Sequence, residues 1–329
     1  MMALRERGVN ILECRDVSRW PLKLFKLFIQ HWKIRKSYDY LWVGYPGHPV
    51  VWLSSLISRK PVIFDAVYTM QEGVLTSRKQ KGIFSWKSIY VKIIDWLGVK
   101  CADLVLVESY AQKEFFKEKF GIDEKCKVLY IGASASFYPD SSVPKYDKFT
   151  VLFRGQFLPE AGAKYVVEAA KILEDSNVNF VMVGNGFLLR EIEYLVQKIH
   201  PKNLRLITRN FTQDELRVLM QPCHVALGQL ENHIRLNRTI PHKCYETIAM
   251  SIPYMHARFR PVAEILKDGE SVLFVNPADP KDLAEKILYL KNNPEIAKKI
   301  GDNGYKVYQE RFTPRVLASD ILKLFSYKH

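Results

Sequence analysis

Along almost the whole chain, short β-branched and aromatic runs bounded by turn residues alternate with stretches of helical periodicity. Strands separated by helices of this length return parallel to one another, so the alternation predicts βαβ units and parallel sheets. It comes in two series. The first predicts strand GVNILECR (8–15), a helix opened by Trp20 and Pro21 and running to about Lys36, strand and turn YDYLWVGYPG, helix 49–58 and strand PVIFDAV. A basic loop around Arg78 to Lys81 follows, then helix 85–97, strand LVLVES, helix 110–119 and strand KVLYIGA.

The second series predicts strand TVLFRG, helix 161–174, strand NFVMVG, helix 187–198, strand LRLITR, helix 212–220, strand HVALGQ and helix 242–250. Short PYMHA, helix 261–267, strand VLFVN, helices 280–291 and 294–310 and a helical terminal segment complete it. Between the series, residues 134–147 (SASFYPDSSVPKYD) are rich in Ser, Pro and Asp without periodicity and read as a linker.

A chain of 329 residues exceeds one core, so two Rossmann-like, doubly wound parallel-sheet domains facing one cleft are expected: 1–145, 146–315, and a terminal helix 316–329 packing back on the first. A doubly wound sheet carries its first strand in the middle. This chain opens within what reads as a crossover helix, so the first domain is expected to lack that central strand.

The five cysteines (Cys14, Cys101, Cys126, Cys223, Cys244) are odd in number and form no C-x-x-C pair, which argues against a disulfide framework or a zinc site. No stretch approaches the ~20 apolar residues that span a bilayer, and the opening residues do not read as a secretory signal. A cytoplasmic location is expected, peripheral on the inner face of the cell membrane. Residues 1–100 hold seventeen Lys and Arg against seven Asp and Glu, a field that attracts anionic lipid, nucleic acid or phosphorylated substrates. No nucleic-acid-binding module accompanies the charge, so nucleic acid is not an expected partner. Helix WPLKLFKLFIQHWKI puts Lys23, Lys26, Gln30 and Lys33 on a narrow stripe with apolar residues around the rest; it suits either an anionic membrane surface or a core helix with a thin solvated edge.

The segment RTIPHKCYETIAM (238–250) concentrates the chemistry. Pro241 marks a helix first turn, whose backbone N–H groups and dipole favour an anion such as a diphosphate. Lys243 and Glu246 are three apart on one helical face, and Arg238 precedes them in the adjoining loop. A plain surface ion pair is the alternative. In VGNG, Gly184, Asn185 and Gly186 form a turn after a strand, but Leu189 stands where a dinucleotide fingerprint has its third glycine and TRN replaces its acidic strand end.

Residues 150–315 resemble the C-terminal domain of the family 4 glycosyltransferases of GT-B fold. LFRGQFLPEAGAKYVVEAA keeps Gly155, Pro159 and Gly162, with Gln156 where that family has Arg and Ala161 where it has Lys; Glu246 matches the second of two glutamates spaced eight apart, and Arg238 occupies the first position. The resemblance implies a nucleotide-sugar donor as substrate, no further cofactor or metal, and retaining transfer to a glycan or lipid-linked acceptor. Gly155, Gln156, Gly184, Asn185, Gly186, Arg238, Ile240, Pro241, Lys243 and Glu246 are the implied donor contacts, with Lys243 and Arg238 supplying the phosphate charges that Gln156 and Ala161 lack.

In the first domain, His48 follows the Gly44–Gly47 turn and is either a substrate contact or structural. Asp65 closes PVIFD and is either the base for the acceptor hydroxyl or a cap for the next loop. The altered clamp positions leave a non-catalytic nucleotide-sugar-binding protein as the alternative function.

Overall fold

The apolar runs of the first half pair side by side in the computed structural model, which describes residues 2–19, 22–73 and 86–326. Strands β1 (Leu41–Val43), β2 (Val62–Val67), β3 (Leu104–Val107) and β4 (Cys126–Val128) form a parallel sheet in chain order. Because each parallel return is a right-handed crossover in the same direction, helices α3 (His48–Ile57), α4 (Trp86–Cys101) and α5 (Tyr110–Phe120) share one face. Their core joins Val51, Val99 and Phe116 to Val43, Phe64 and Val105 of the strands. Ser109 caps α5 by accepting from Gln112 N, and Gly121 ends it in the left-handed region.

Two further helices precede the sheet, α1 (Met2–Arg5) and α2 (Leu22–Ile34). The strand expected at GVNILECR does not form: residues 9–17 carry no regular structure. An apolar run becomes a strand only where the chain lays it along a backbone edge. Here Glu13 pairs with Arg5, Lys26 with Asp16, and Gln30 donates to Arg15 O, so the segment is held by side chains. The outer edge of β1 has no partner strand among the described residues. With α2 and α3 it lines an apolar cavity of about 340 Å³, walled by Leu24, Leu27, Phe28, Leu41, Val43 and Leu53. The basic loop at 78–81 and the helix-opening Trp20 and Pro21 lie outside the described residues.

The second half builds a six-stranded parallel sheet in the order β10-β9-β8-β5-β6-β7. Its strands are β5 (Phe149–Arg154), β6 (Val178–Val183), β7 (Leu204–Ile207), β8 (Val225–Leu227), β9 (Tyr254–Ala257) and β10 (Leu273–Val275). Helices α6 (Ala163–Ile172), α7 (Leu189–Ile199), α8 (Gln213–Met220), α9 (His242–Ala249), α10 (Arg260–Ala263), α11 (Pro280–Asn292), α12 (Pro294–Arg311) and α13 (Pro314–Ser326) accompany them. α8 opens with a reciprocal Thr212–Glu215 capping box, and Asp279 caps α11. α10 is shorter than the predicted 261–267, because backbone bonds from Ser271 and Val272 to Lys267 O turn the chain there.

The chain divides into two compact units. One gathers the residues up to Tyr130 with those from Ile321 on; the other is Ile131–Asp320. The Ser- and Pro-rich segment 134–147 therefore falls inside the second unit, and α13 begins in the second unit and ends in the first. Within the first, Tyr40 Oη donates to Phe325 O at 2.8 Å and their rings stack at 4.6 Å.

Candidate functional site

From β5 the chain runs outward through β6 to β7, then returns to the opposite side of β5 for β8, β9 and β10. The loops leaving β5 and β8 diverge at this reversal, and their carboxyl ends frame a crevice of the kind in which open α/β sheets bind ligands. Three segments meet there: Arg154–Gln156 after β5, Gly228–Gln229 after β8, and the start of α9.

The loop after β5 is bound to the loop after β6 by backbone hydrogen bonds. Gly155 N donates to Val183 O at 2.9 Å, Phe157 N to Asn185 O at 2.6 Å, and Leu188 N to Phe157 O at 2.9 Å. Glycine is required for this approach. Gly155 and Gly186 have φ of 128° and 129°, and a Cβ on Gly184 would stand 2.0 Å from Gly155 O. Gln156 is exposed between them, while Asn185 Nδ2 donates to Asn210 Oδ1 at 2.7 Å.

Pro241 is the residue just before α9 rather than its first turn, and no side chain caps the helix start. Lys243 is buried; its Nζ lies 4.5 Å above the Phe153 ring and 3.4 Å from Gln229 Oε1. A Cβ on Gly155 would lie 3.5 Å from that Nζ, so the lysine runs directly behind the glycine loop. Glu246, one turn on, is held by Arg154 and by His242 Nδ1 at 3.1 Å. The surface-pair alternative for Lys243 and Glu246 fails, since both are buried and each meets groups from other elements.

Burial, followed by the neighbouring Arg154, pushes the Lys243 ammonium down to about 7. Burial also acts to raise the Glu246 carboxyl, but the hydrogen bond from His242 and the charge of Arg154 outweigh it and hold Glu246 below its ordinary value. Glu246 is thus ionised at neutral pH. Arg238 ends the turn leading to α9, half-buried, and Ile240 packs into the core. The structure gathers Gly155, Gln156, Gly184, Asn185, Gly186, Lys243 and Glu246 around one crevice.

Three of its residues escaped the sequence reading: Arg154, Gln229 and His242. For Arg154 a signal existed, since it is the single charge ending the apolar run TVLF. Gln229 and His242 carry none that pattern reading detects.

The two first-unit candidates have different partners. His48 opens α3 with its ring edge-on to Phe64, and burial lowers it to about 4, so it is neutral. Asp65 lies within β2, which continues to Val67, rather than at a strand end. Burial raises its carboxyl to about 6, against a hydrogen bond from Trp42. Among the described residues, no three His, Cys, Asp or Glu side chains are grouped to hold a metal ion, and no helix is long and apolar enough to cross a membrane.

Known proteins resemble this chain in sequence and in fold. The chain is 30% identical over 174 residues to an uncharacterized glycosyltransferase of Methanocaldococcus jannaschii, a match covering 53% of this chain and 47% of that protein. It is 20% identical over 297 residues to the capsular polysaccharide biosynthesis glycosyltransferase CapM of Staphylococcus aureus, covering 83% and 72%. The first of these matches thus spans about half of the relative's length. Among solved structures, Anabaena HepE in complex with UDP-glucose superposes with a TM-score of 0.73 at 17% identity, covering 95% of this chain and 85% of that one. Sucrose-phosphate synthase from Thermosynechococcus elongatus gives 0.71 at 18% identity, covering 96% and 82%. The fold is GT-B, two parallel-sheet α/β domains. The family model for glycosyl transferases group 1 matches residues 136–307, which contain every crevice residue named above, and the chain belongs to that family.

Proposed function

We propose that this chain moves a sugar from a nucleoside diphosphate donor, bound in the β5/β8 crevice, to a hydroxyl of a glycan or lipid-linked acceptor. The gathering of Arg154, Lys243 and Glu246 behind a loop of bare glycine backbone carries this reading. Backbone amides at the α9 start and the Lys243 ammonium suit a diphosphate, and the ionised Glu246 suits the paired hydroxyls of a ribose. As the bond to the sugar breaks, cations that strengthen their hold on the departing diphosphate lower the barrier. Family membership and the UDP-glucose bound by HepE support the donor class; CapM supports glycan synthesis as the setting. Transfer with retention follows from the family resemblance and is read from the anomeric coupling of the product.

Lys243 and Arg238 take over, in this reading, the charges that Gln156 and Ala161 do not provide. Calorimetric titration of UDP, GDP and ADP checks it: Arg238→Ala with Lys243→Ala is expected to weaken the preferred nucleotide ~100-fold, at ~1.4 kcal/mol per tenfold. Unchanged affinity sinks the assignment. Lysine binds phosphate in its protonated form, so wild-type affinity falls as the pH rises above about 7, and the double variant loses that dependence.

Asp65 is the acceptor-side base of this proposal. A base works deprotonated, so transfer falls as the pH drops below about 6, and Asp65→Asn removes both the activity and that acid limb. An unaltered pH–rate profile in the variant assigns the limb elsewhere.

Peripheral membrane contact belongs to the same reading. On α2, Leu22, Phe25, Ile29 and Trp32 are exposed at helical spacing beside Lys26 and Lys33. Sedimentation with phosphatidylglycerol vesicles is expected for the wild type and lost in Phe25→Asp; equal sedimentation of both removes α2 from the contact.

A further inference from the structure

At the carboxyl ends of β1 and β2 the first unit holds two tyrosines that the donor crevice does not use. Tyr45 and Tyr68 place their hydroxyls 2.6 Å apart and their rings 5.0 Å apart at 50°, with Tyr45 exposed. Gly73 lies against them; a Cβ there would meet the Tyr68 ring at 3.0 Å.

The turn carrying Tyr68 is fixed from beneath by buried polar groups. Asp95, on α4, accepts from Met70 N at 2.7 Å and from Gln71 N at 3.0 Å, one amide to each carboxylate oxygen. Glu72 accepts from Thr69 N at 3.2 Å, from Thr69 Oγ1 at 3.0 Å and from Gln112 Nε2, on α5, at 2.9 Å. His48 Nε2 lies 2.9 Å from Tyr68 O; a carbonyl only accepts, so Nε2 carries the proton. The same imidazole meets the Tyr45 ring edge-on at 5.9 Å. His48, Asp95 and Glu72 are each at most 2% exposed.

Two buried carboxylates and an imidazole are far more than a six-residue turn needs to close, because burying such groups is itself unfavourable. Arrangements of this kind persist where a surface must be held to a fixed geometry. The surface held here is the tyrosine pair. A tyrosine presents an apolar ring face and a polar rim, which matches a pyranose: axial C–H groups on one face, hydroxyls around the edge.

We infer that Tyr45 and Tyr68 form a platform for the sugar ring that bears the acceptor hydroxyl, with Asp95, Glu72 and His48 as its positioning residues. The inference rests on the glycosyltransferase reading for the word acceptor, but its binding test does not need a donor.

Saturation-transfer NMR on the full chain with methyl glycosides of glucose, galactose, mannose and N-acetylglucosamine tests it, with UDP and GDP titrated in parallel. At least one glycoside is expected to saturate on one ring face. The response falls roughly tenfold or more in Tyr45→Ala and Tyr68→Ala, while nucleotide affinity stays within about twofold. Tyr68→Phe, which keeps the ring and removes the hydroxyl, lies between. In Asp95→Asn, hydrogen exchange at Met70 and Gln71 accelerates and glycoside affinity drops together with it, a coupling that a merely structural role for the turn does not require. Glycoside binding that is absent, or unchanged in both alanine variants, overturns the platform. Tyrosine-dependent glycoside binding without any nucleotide binding leaves the platform standing and removes the transferase reading instead.

Discussion

Glu246→Gln loses sugar transfer by roughly 100-fold or more, the scale on which single charge-stabilising groups act in active sites. Gln keeps the shape of the side chain but not the charge that holds Arg154 and receives His242. Glu246→Ala adds a structural loss. It leaves the buried Arg154 guanidinium without its carboxylate, and breaking a buried pair from one side costs ~3–5 kcal/mol. For a unit of this size that lowers Tm by about 6–20 °C. The pH dependence has a definite sign. Glu246 is held below its unfolded value, so its contribution is complete above the ordinary carboxylate range and is lost as the pH falls through the lowered value. Melting curves from pH 7 downward are therefore flatter for Glu246→Gln than for wild type. Transfer by Glu246→Gln within about threefold of wild type removes Glu246 from the site.

Gly184→Ala is expected to weaken nucleotide binding by at least ~30-fold and to lower Tm, although it adds one methyl group. The added Cβ would lie 2.0 Å from Gly155 O and 3.0 Å from the Phe157 ring. The first obstacle is backbone and cannot rotate away, so the β5 loop itself must shift, carrying Gly155 and Gln156 with it. Gly44→Ala makes the same chemical change where nothing lies within 4 Å and serves as the comparison. Equal nucleotide affinity in the two variants shows that the interlocked loops do not shape the site.

The sheets of both units were readable in the chain because each strand is an apolar run with turn residues at its ends, and each crossover helix has its own period. GVNILECR had the same local appearance and is no strand, since pairing depends on a neighbouring edge that a local pattern does not contain. At the site, Lys243, Glu246 and the three glycines were found through their order along 155–246. The role of Arg154 is not legible from its neighbours, since the family places its arginine two positions on, at Gln156, and what makes Arg154 matter is a contact across 92 residues with Glu246. His48 follows the turn expected for it, whereas Asp65 lies inside β2 instead of closing a strand, and the burial that sets their protonation depends on Phe64, Trp42 and the loop after β2.

The chain passes between its units twice, once near Tyr130 and again inside α13 near Ile321. After a single proteolytic nick near residue 131, the first 130 residues stay attached only through the packing of the tail from Ile321 on, with Tyr40 on Phe325. Expressing the first unit alone from residues up to 130 omits Phe325, the partner of Tyr40, so a faithful half-molecule requires the tail to be spliced back or supplied as a separate peptide. Split-protein complementation along this chain has its natural seam at two points rather than one.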